Sequence, residues 1–174
     1  MSLAHDALTT PSEWVCRWAR RIAPGARVLD VACGSGRHTQ LLSDLGFSVF
    51  AVDRDDAAVA ALGALSGVDV KVADLEAGPW PYPGERFGGI VVTNYLHRPL
   101  LPTLIGALDA QGVLIYETFA AGNERYGRPA NPAFLLQPGE LLEVVRGRLR
   151  VIAYEDLHIQ SPRPAMVQRI CAQY

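Results

Sequence analysis

The run Val28-Leu29-Asp30-Val31-Ala32-Cys33-Gly34-Ser35-Gly36-Arg37 limits what this chain can become more than any other stretch. An apolar segment meets two glycines one residue apart, and a helix-like pattern follows at once. That order predicts a strand, a turn too tight for a Cβ, and a helix N-terminus. It is an arrangement that holds a nucleotide-like ligand against bare backbone. Asp30 lies within the strand, where an ionised carboxylate is seldom left without a task.

Helix and strand signals alternate on either side of this run. Thr10-Pro11-Ser12-Glu13 reads as a helix start, with Thr10 at the cap, and Trp14, Val15, Trp18 and Ile22 form its apolar stripe. Strand 27–32 precedes a helix over 37–45, and strand 48–52, ending in Asp53, precedes a helix over 55–65. Strand 68–73 ends in Asp74, and strand 87–93 leads through Asn94-Tyr95-Leu96-His97-Arg98 to a helix over 99–109. Strand 113–117 is followed by a long irregular stretch, 119–138, and by a helix near 139–146. Strands near 149–155 and 166–172 read as an antiparallel pair joined through Ser161-Pro162-Arg163-Pro164.

Short, almost continuously apolar strands alternating with helices predict an α/β fold: a Rossmann-like doubly wound sheet with helices on both faces. The sheet is expected to be mostly parallel, with an antiparallel C-terminal strand. The length of 174 residues suits one domain, with residues 1–10 as a flexible leading segment and 119–138 as a possible substrate lid. In such sheets ligands bind beyond the carboxyl ends of the strands, where strand order reverses. Gly34, Gly36, Asp53, Asp74, Asn94 and Glu117 all fall at or just past those ends.

Composition narrows the partners. A net charge of −2 supplies no field to gather nucleic acid or an anionic membrane. Cys16, Cys33 and Cys171 have neither disulfide nor metal spacing, so a reducing cytoplasm is expected and no metal site is legible. No apolar run reaches the ~20 residues of a membrane span. A small-molecule substrate is expected, with nucleic acid disfavoured, no membrane partner, and a monomer or homodimer.

A dinucleotide oxidoreductase is the nearest rival from residues alone. Its fingerprint needs a third glycine, and here Gly36 is followed by Arg37, His38 and Thr39. Asp30 is also poorly placed for a pyrophosphate and better suited to a ligand carrying positive charge. The motif resembles the first motif of the class I, Rossmann-like S-adenosylmethionine-dependent methyltransferases, with Ala32 standing where their first glycine usually does. Within that class it is similar to the small tellurite-resistance-type enzymes.

The resemblance implies S-adenosylmethionine as cofactor and assigns the following roles. Asp30 would lie near the methionine amino group, and backbone at Cys33, Gly34 and Gly36 would line the amino-acid end. Asp53 would accept the ribose hydroxyls and Arg54 would pack beside adenine. Asp74 would accept from the adenine amino group, near the Leu75 backbone. Asn94 and Tyr95 would stand beside the sulfonium. Plainer readings exist for some of these: Asp53 and Asp55 suit a helix cap, Asp74 a turn, and Cys33 a small buried residue.

Methyl transfer needs an aligned acceptor and excluded water, with a base only where the acceptor must lose a proton. His97 is the candidate base and Tyr95 its catalytic neighbour. Arg98, Arg125 and Arg128 suit an anionic acceptor, and Glu117, Thr118 and Tyr95 would floor its pocket. Phe119, Tyr126 and Phe134 would close over it. Asn94-Tyr95-Leu96-His97 departs from the [N/D]-P-P-[Y/F] pattern of base amino-methylases. No cysteine sits where the carbon-5 pyrimidine methylases carry theirs, and the single Lys71 excludes a Lys-Asp-Lys-Glu tetrad. A small acceptor is therefore expected. An RNA methyltransferase, a nicotinamide-dependent oxidoreductase and a non-catalytic cofactor-binding protein remain the alternatives.

Overall fold

Along the central strands apolar side chains point alternately to opposite faces, so both faces must be covered. The computed structural model describes residues 9–174. Most of the leading segment 1–10 therefore lies outside the described residues.

Seven strands form one sheet: β1 (Arg27–Val31), β2 (Ser48–Asp53), β3 (Val68–Val72), β4 (Phe87–Thr93), β5 (Leu108–Phe119), β6 (Arg150–Ile159) and β7 (Ala165–Gln173). Their order is β3-β2-β1-β4-β5-β7-β6. The β1–β5 pairings are parallel, while β7 runs antiparallel to both β5 and β6. Order reverses between β1 and β4, the place where ligands gather in this architecture. The mostly parallel doubly wound sheet with an antiparallel C-terminal strand is as the sequence predicts.

On one face Leu29, Val31, Ile90, Val92, Leu114 and Tyr116 are buried against α4 (Leu101–Gly106) and α5 (Glu140–Val145). On the other, Val28, Val49, Val91, Val113, Ile115 and Cys171 are buried against α1 (Glu13–Trp18) and α2 (Arg37–Asp44). Each such Val, Leu or Ile contributes roughly 1.5–3 kcal/mol by leaving water. Toward the carboxyl edge of the α1 face this apolar rule gives way. Asp30, Thr93 and Glu117 occupy the next positions of β1, β4 and β5 on that face, and all are buried. Thr93 is in register with Glu117, and Glu117 with Arg169 of β7.

Several element bounds differ from the sequence expectation. Ser12, not Thr10, caps α1, its side chain accepting from the Trp14 amide. The helix expected over 55–65 is a single α turn, α3 (Asp56–Val59), continued as a 3-10 segment over Ala60–Ala64. There Val59 and Leu62, three apart, are eclipsed and turn to the same core. The helix expected to reach residue 109 stops at Gly106, because Leu108 already pairs with Phe87. A bulge then brings Val113 opposite Gly89.

The stretch 119–138 is fastened down. Ala120 bridges to Leu136, Leu135 and Leu136 are buried, and Asn123 Nδ2 donates to the Pro129 carbonyl. No helix among the described residues is long and apolar enough to cross a membrane.

His38, in the first turn of α2, joins the N-terminal segment to the sheet. Its Nε2 accepts the Ser12 amide at 3.0 Å, so the ring proton sits on Nδ1, 3.2 Å from Thr93 Oγ1. Burial, helped by the charge of Arg37, pushes its pKa down to about 3. The unfolded chain binds a proton near pH 6.5 that the fold refuses, so His38 stabilises above that pH and the contribution fades as pH falls toward about 3. Urea midpoints measured from about pH 7.5 to about pH 4.5 should fall more steeply for the wild type than for His38→Gln. Equal slopes would contradict the assignment.

Candidate active site

At the end of β1 the backbone turns through left-handed conformations. Ala32, Gly34 and Gly36 have φ of 53°, 54° and 83°. Gly36 is a glycine for two reasons: its φ is positive, and an added Cβ would stand 2.2 Å from the Leu62 side chain. Gly34 differs, since an added Cβ there would meet nothing within 4 Å. That side of the loop is open. The loop is tied back by Cys33 N to Val52 O and by Gly36 N to Cys33 O, each 3.0 Å.

Asp53 closes the arrangement from β2. Its Oδ2 accepts the Gly34 amide at 2.8 Å and its Oδ1 the Asp55 amide at 3.0 Å. The acid thus fixes the glycine loop to the end of the neighbouring strand. The cap of α3 is Asp55, which accepts from Ala58 N. Asp30 is buried, and its Oδ2 accepts from Thr39 Oγ1 at 2.7 Å. Desolvation raises its pKa to about 7 against the opposing pull of Thr39 and Arg37. Cys33 packs with Ala51, Val59 and Leu62, and burial drives its thiol pKa far up, so it is an inert small side chain.

Beyond β3, Asp74 Oδ1 accepts the Glu76 and Ala77 amides, which hold its carboxyl below the ordinary value. It shapes the turn as well as facing the edge. Leu75 packs on the main core, and Arg54 is exposed. Tyr95 is half-buried. Its carbonyl accepts from Tyr116 Oη at 2.7 Å, and its own buried hydroxyl has no partner among the described residues. Desolvation, then the charges of Glu76 and Asp74, raise its pKa to about 12. Tyr95 therefore stands on the Asp53–Asp74 side of the edge. His97 is half-buried and within electrostatic reach of Asp74.

On the other side of Asn94 lies a cavity of about 530 Å³. Asn94 itself has a φ of 53° and donates its amide to Glu117 O at 2.9 Å. Glu117 faces the cavity, with Oε1 accepting from Ser12 Oγ at 2.6 Å and Oε2 from Arg169 at 3.0 Å. Arg169 also pairs with Glu155 and lies over the Trp14 ring. Thr10–Glu13 border the space from one side and Ile159 with Ser161–Arg163 from another. Arg37 also lines it, donating to Thr10 O at 3.0 Å and sensing the charges of Glu117 and Asp30.

The expected acceptor residues divide. Glu117 lines the cavity, as does Asn94, which was expected beside the sulfonium, while Tyr95, His97, Arg98, Tyr126 and Arg128 do not. The Arg98 guanidinium is spent on Glu140 and on the carbonyls of Ala133 and Leu135, which clamp the 132–136 stretch to the sheet. Tyr126 stacks on His158, with ring centroids 4.5 Å apart. Arg128 is exposed and Arg125 lines a different, smaller hollow. Of the stretch 119–138 only Phe119 reaches the cavity, because the rest is held by the bonds described above. Ser12, His38, Thr39, Arg163 and Arg169 escaped the sequence reading. Their roles arise from strand register and from the return of the N-terminal segment over the sheet, which no local spacing encodes.

Residues 28–109 match a family described as a methyltransferase domain. Comparison with curated proteins found no match. Among solved structures, TehB from Haemophilus influenzae aligns with a TM-score of 0.76 at 20% identity, over 94% of this chain and 62% of that one. This chain thus spans under two thirds of the Haemophilus protein. A TehB-like S-adenosylmethionine-dependent methyltransferase from Corynebacterium glutamicum aligns at 0.68 and 22% identity, over 98% and 91% of the two chains. A Burkholderia thailandensis 1,6-didemethyltoxoflavin-N1-methyltransferase, solved with 1,6-didemethyltoxoflavin and S-adenosylhomocysteine, aligns at 0.70 and 19%, over 98% and 79%. Residues 28–109 are thus similar to a methyltransferase domain, and the whole described chain has the fold of structures solved as S-adenosylmethionine-dependent methyltransferases.

Proposed function

We propose that this protein transfers a methyl group from S-adenosylmethionine to a small-molecule acceptor by in-line displacement. One observation carries the reading: a cavity borders Asn94 at the same carboxyl edge that bears the glycine loop and the strand-end acids. On one side are the open Gly34 face and the strand-end acids Asp53 and Asp74, with Asp30 buried in β1. On the other is a cavity of about 530 Å³, within the roughly 300–1,000 Å³ typical of small-molecule sites. The Burkholderia enzyme, with its heteroaromatic acceptor and S-adenosylhomocysteine, supports a small acceptor for this fold.

S-adenosylmethionine suits the glycine-loop side of the edge. Backbone at Cys33, Gly34 and Gly36 would line its amino-acid end, and Asp30 would lie near the ammonium. Asp53 keeps lone pairs for ribose hydroxyls beyond those given to Gly34 and Asp55. Arg54, Asp74 and Leu75 would surround the adenine, and the unpartnered Tyr95 hydroxyl faces that same side. Bound there, the cofactor supplies an activated methyl group.

The chain's own tasks are then alignment and exclusion of water. Glu117, fixed by Ser12 and Arg169, would accept the O–H or N–H of the acceptor and turn its lone pair toward Asn94. This role replaces the base expected of His97, which lies outside the cavity.

Asp53→Ala should weaken S-adenosylmethionine binding by about 1–3 kcal/mol in calorimetric titration, from loss of charged acceptor bonds. Unchanged affinity would remove Asp53 from the site. Glu117→Gln should lower turnover by about 10-fold or more while leaving cofactor affinity nearly intact, whereas His97→Ala should change turnover little. The reverse ordering would restore His97 as the base.

Asp30 generates a pH prediction. The unliganded fold keeps it protonated, so its contribution to stability is lost as pH rises from its ordinary 3.8 through about 7. A cationic group docking on the ionised form gains affinity over the upper part of that window. Cofactor affinity should therefore tighten between about pH 6 and about pH 8, and Asp30→Asn should flatten the profile. A slope that survives the substitution would place the ammonium elsewhere.

A further inference from the structure

We propose that the acceptor is a small apolar molecule bearing a single carboxylate, and that Arg163 binds that carboxylate. The inference rests on reading the cavity beside Asn94 as the acceptor site.

The cavity is polar at one end and apolar along its length. Glu117 and Arg169, paired in register, form the end nearest Asn94. Continuing along the same face, Phe119 of β5 and Val167 and Ala165 of β7 make an apolar wall, joined by Ile159 and Pro162. Two strand residues span roughly 6.6 Å, so the distance from Glu117 to Phe119 matches about one ring of an acceptor body. Beyond Phe119 stands Arg163, its guanidinium carbon 5.5 Å from the ring centroid.

The charges lining this space are Glu13, Glu117, Arg37, Arg163 and Arg169. Glu13 is exposed in the first turn of α1. Arg169 is shared between Glu117 and Glu155. Arg37 is engaged by the Thr10 carbonyl and lies in the field of Glu117 and Asp30. Arg163 forms no ion pair among the described residues, and its one polar contact is the Arg128 carbonyl at 3.4 Å. A guanidinium beside an apolar wall and without a counter-charge suits one carboxylate, which its planar fork can grip with two parallel bonds. Proline on either side, Pro162 and Pro164, restricts the hairpin backbone that carries it, reducing the entropy lost on binding. An acceptor seated this way lays its ring along Phe119 and offers its far end, not its carboxylate, to Glu117 and the methyl group.

The test uses the full chain saturated with S-adenosylhomocysteine. Its probes are phenylacetate, 4-hydroxyphenylacetate, indole-3-acetate and 1-naphthylacetate, each beside its primary amide. At least one acid should bind about tenfold or more tighter than its amide in calorimetric titration. Arg163→Gln should bring that acid down to the amide's affinity, with S-adenosylhomocysteine affinity unchanged, and Arg163→Lys should retain part of the preference. No acid favoured over its amide, or a preference that persists in Arg163→Gln, overturns the assignment. Failure of S-adenosylhomocysteine to bind sinks the methyltransferase reading instead. Its binding without acid discrimination sinks only the carboxylate assignment.

Discussion

Burial of the central strands on both faces is the constraint from which the site follows. A strand such as β4 (Phe87–Thr93), covered by α1 and α2 on one side and α4 and α5 on the other, has no room for an unpaired polar group along its length. Chemistry is displaced to the carboxyl edge, where strand order reverses between β1 and β4. Where polar side chains do enter the α1 face they are paired: Asp30 with Thr39, Thr93 with His38, and Glu117 with Ser12 and Arg169. These pairs keep the edge ordered, and of them Ser12, Glu117 and Arg169 line the cavity.

Two tethers bring the halves of the edge into one site. Asp53 holds the glycine loop to β2, which fixes the loop without relying on a long helix. Ser12 holds the N-terminal segment to both His38 and Glu117, so the start of α1 borders the cavity beside Asn94. Asn94, left-handed and bonded through its amide to the Glu117 carbonyl, stands where the two sides meet. The part-buried Glu117–Arg169 pair is costly to desolvate, and such pairs are better explained by the geometry they impose than by stability they add.

The glycine loop and the acids at the strand ends were legible because their signals are local. The glycine spacing, the acid ending β2 and the strand–helix alternation each follow from a handful of consecutive residues. The cavity beside Asn94 was not legible, since it depends on register. Glu117 and Arg169 meet only because β7 runs back along β5, and Ser12 reaches them across more than a hundred residues of chain. Arg98 illustrates the converse error. A basic residue after β4 suggests anion binding, yet tertiary contacts consume it in clamping the 132–136 stretch. The helix expected to reach residue 109 failed for a similar reason, strand pairing of Leu108 overriding a local pattern.

The most direct measurement is a crystal structure with S-adenosylhomocysteine bound. The account predicts the ribose hydroxyls on Asp53, the amino-acid end against Cys33–Gly36, and the sulfur beside Asn94 facing the Glu117 cavity. Density for the ligand inside that cavity, or a sulfur turned away from it, would contradict the arrangement on which the proposed function stands.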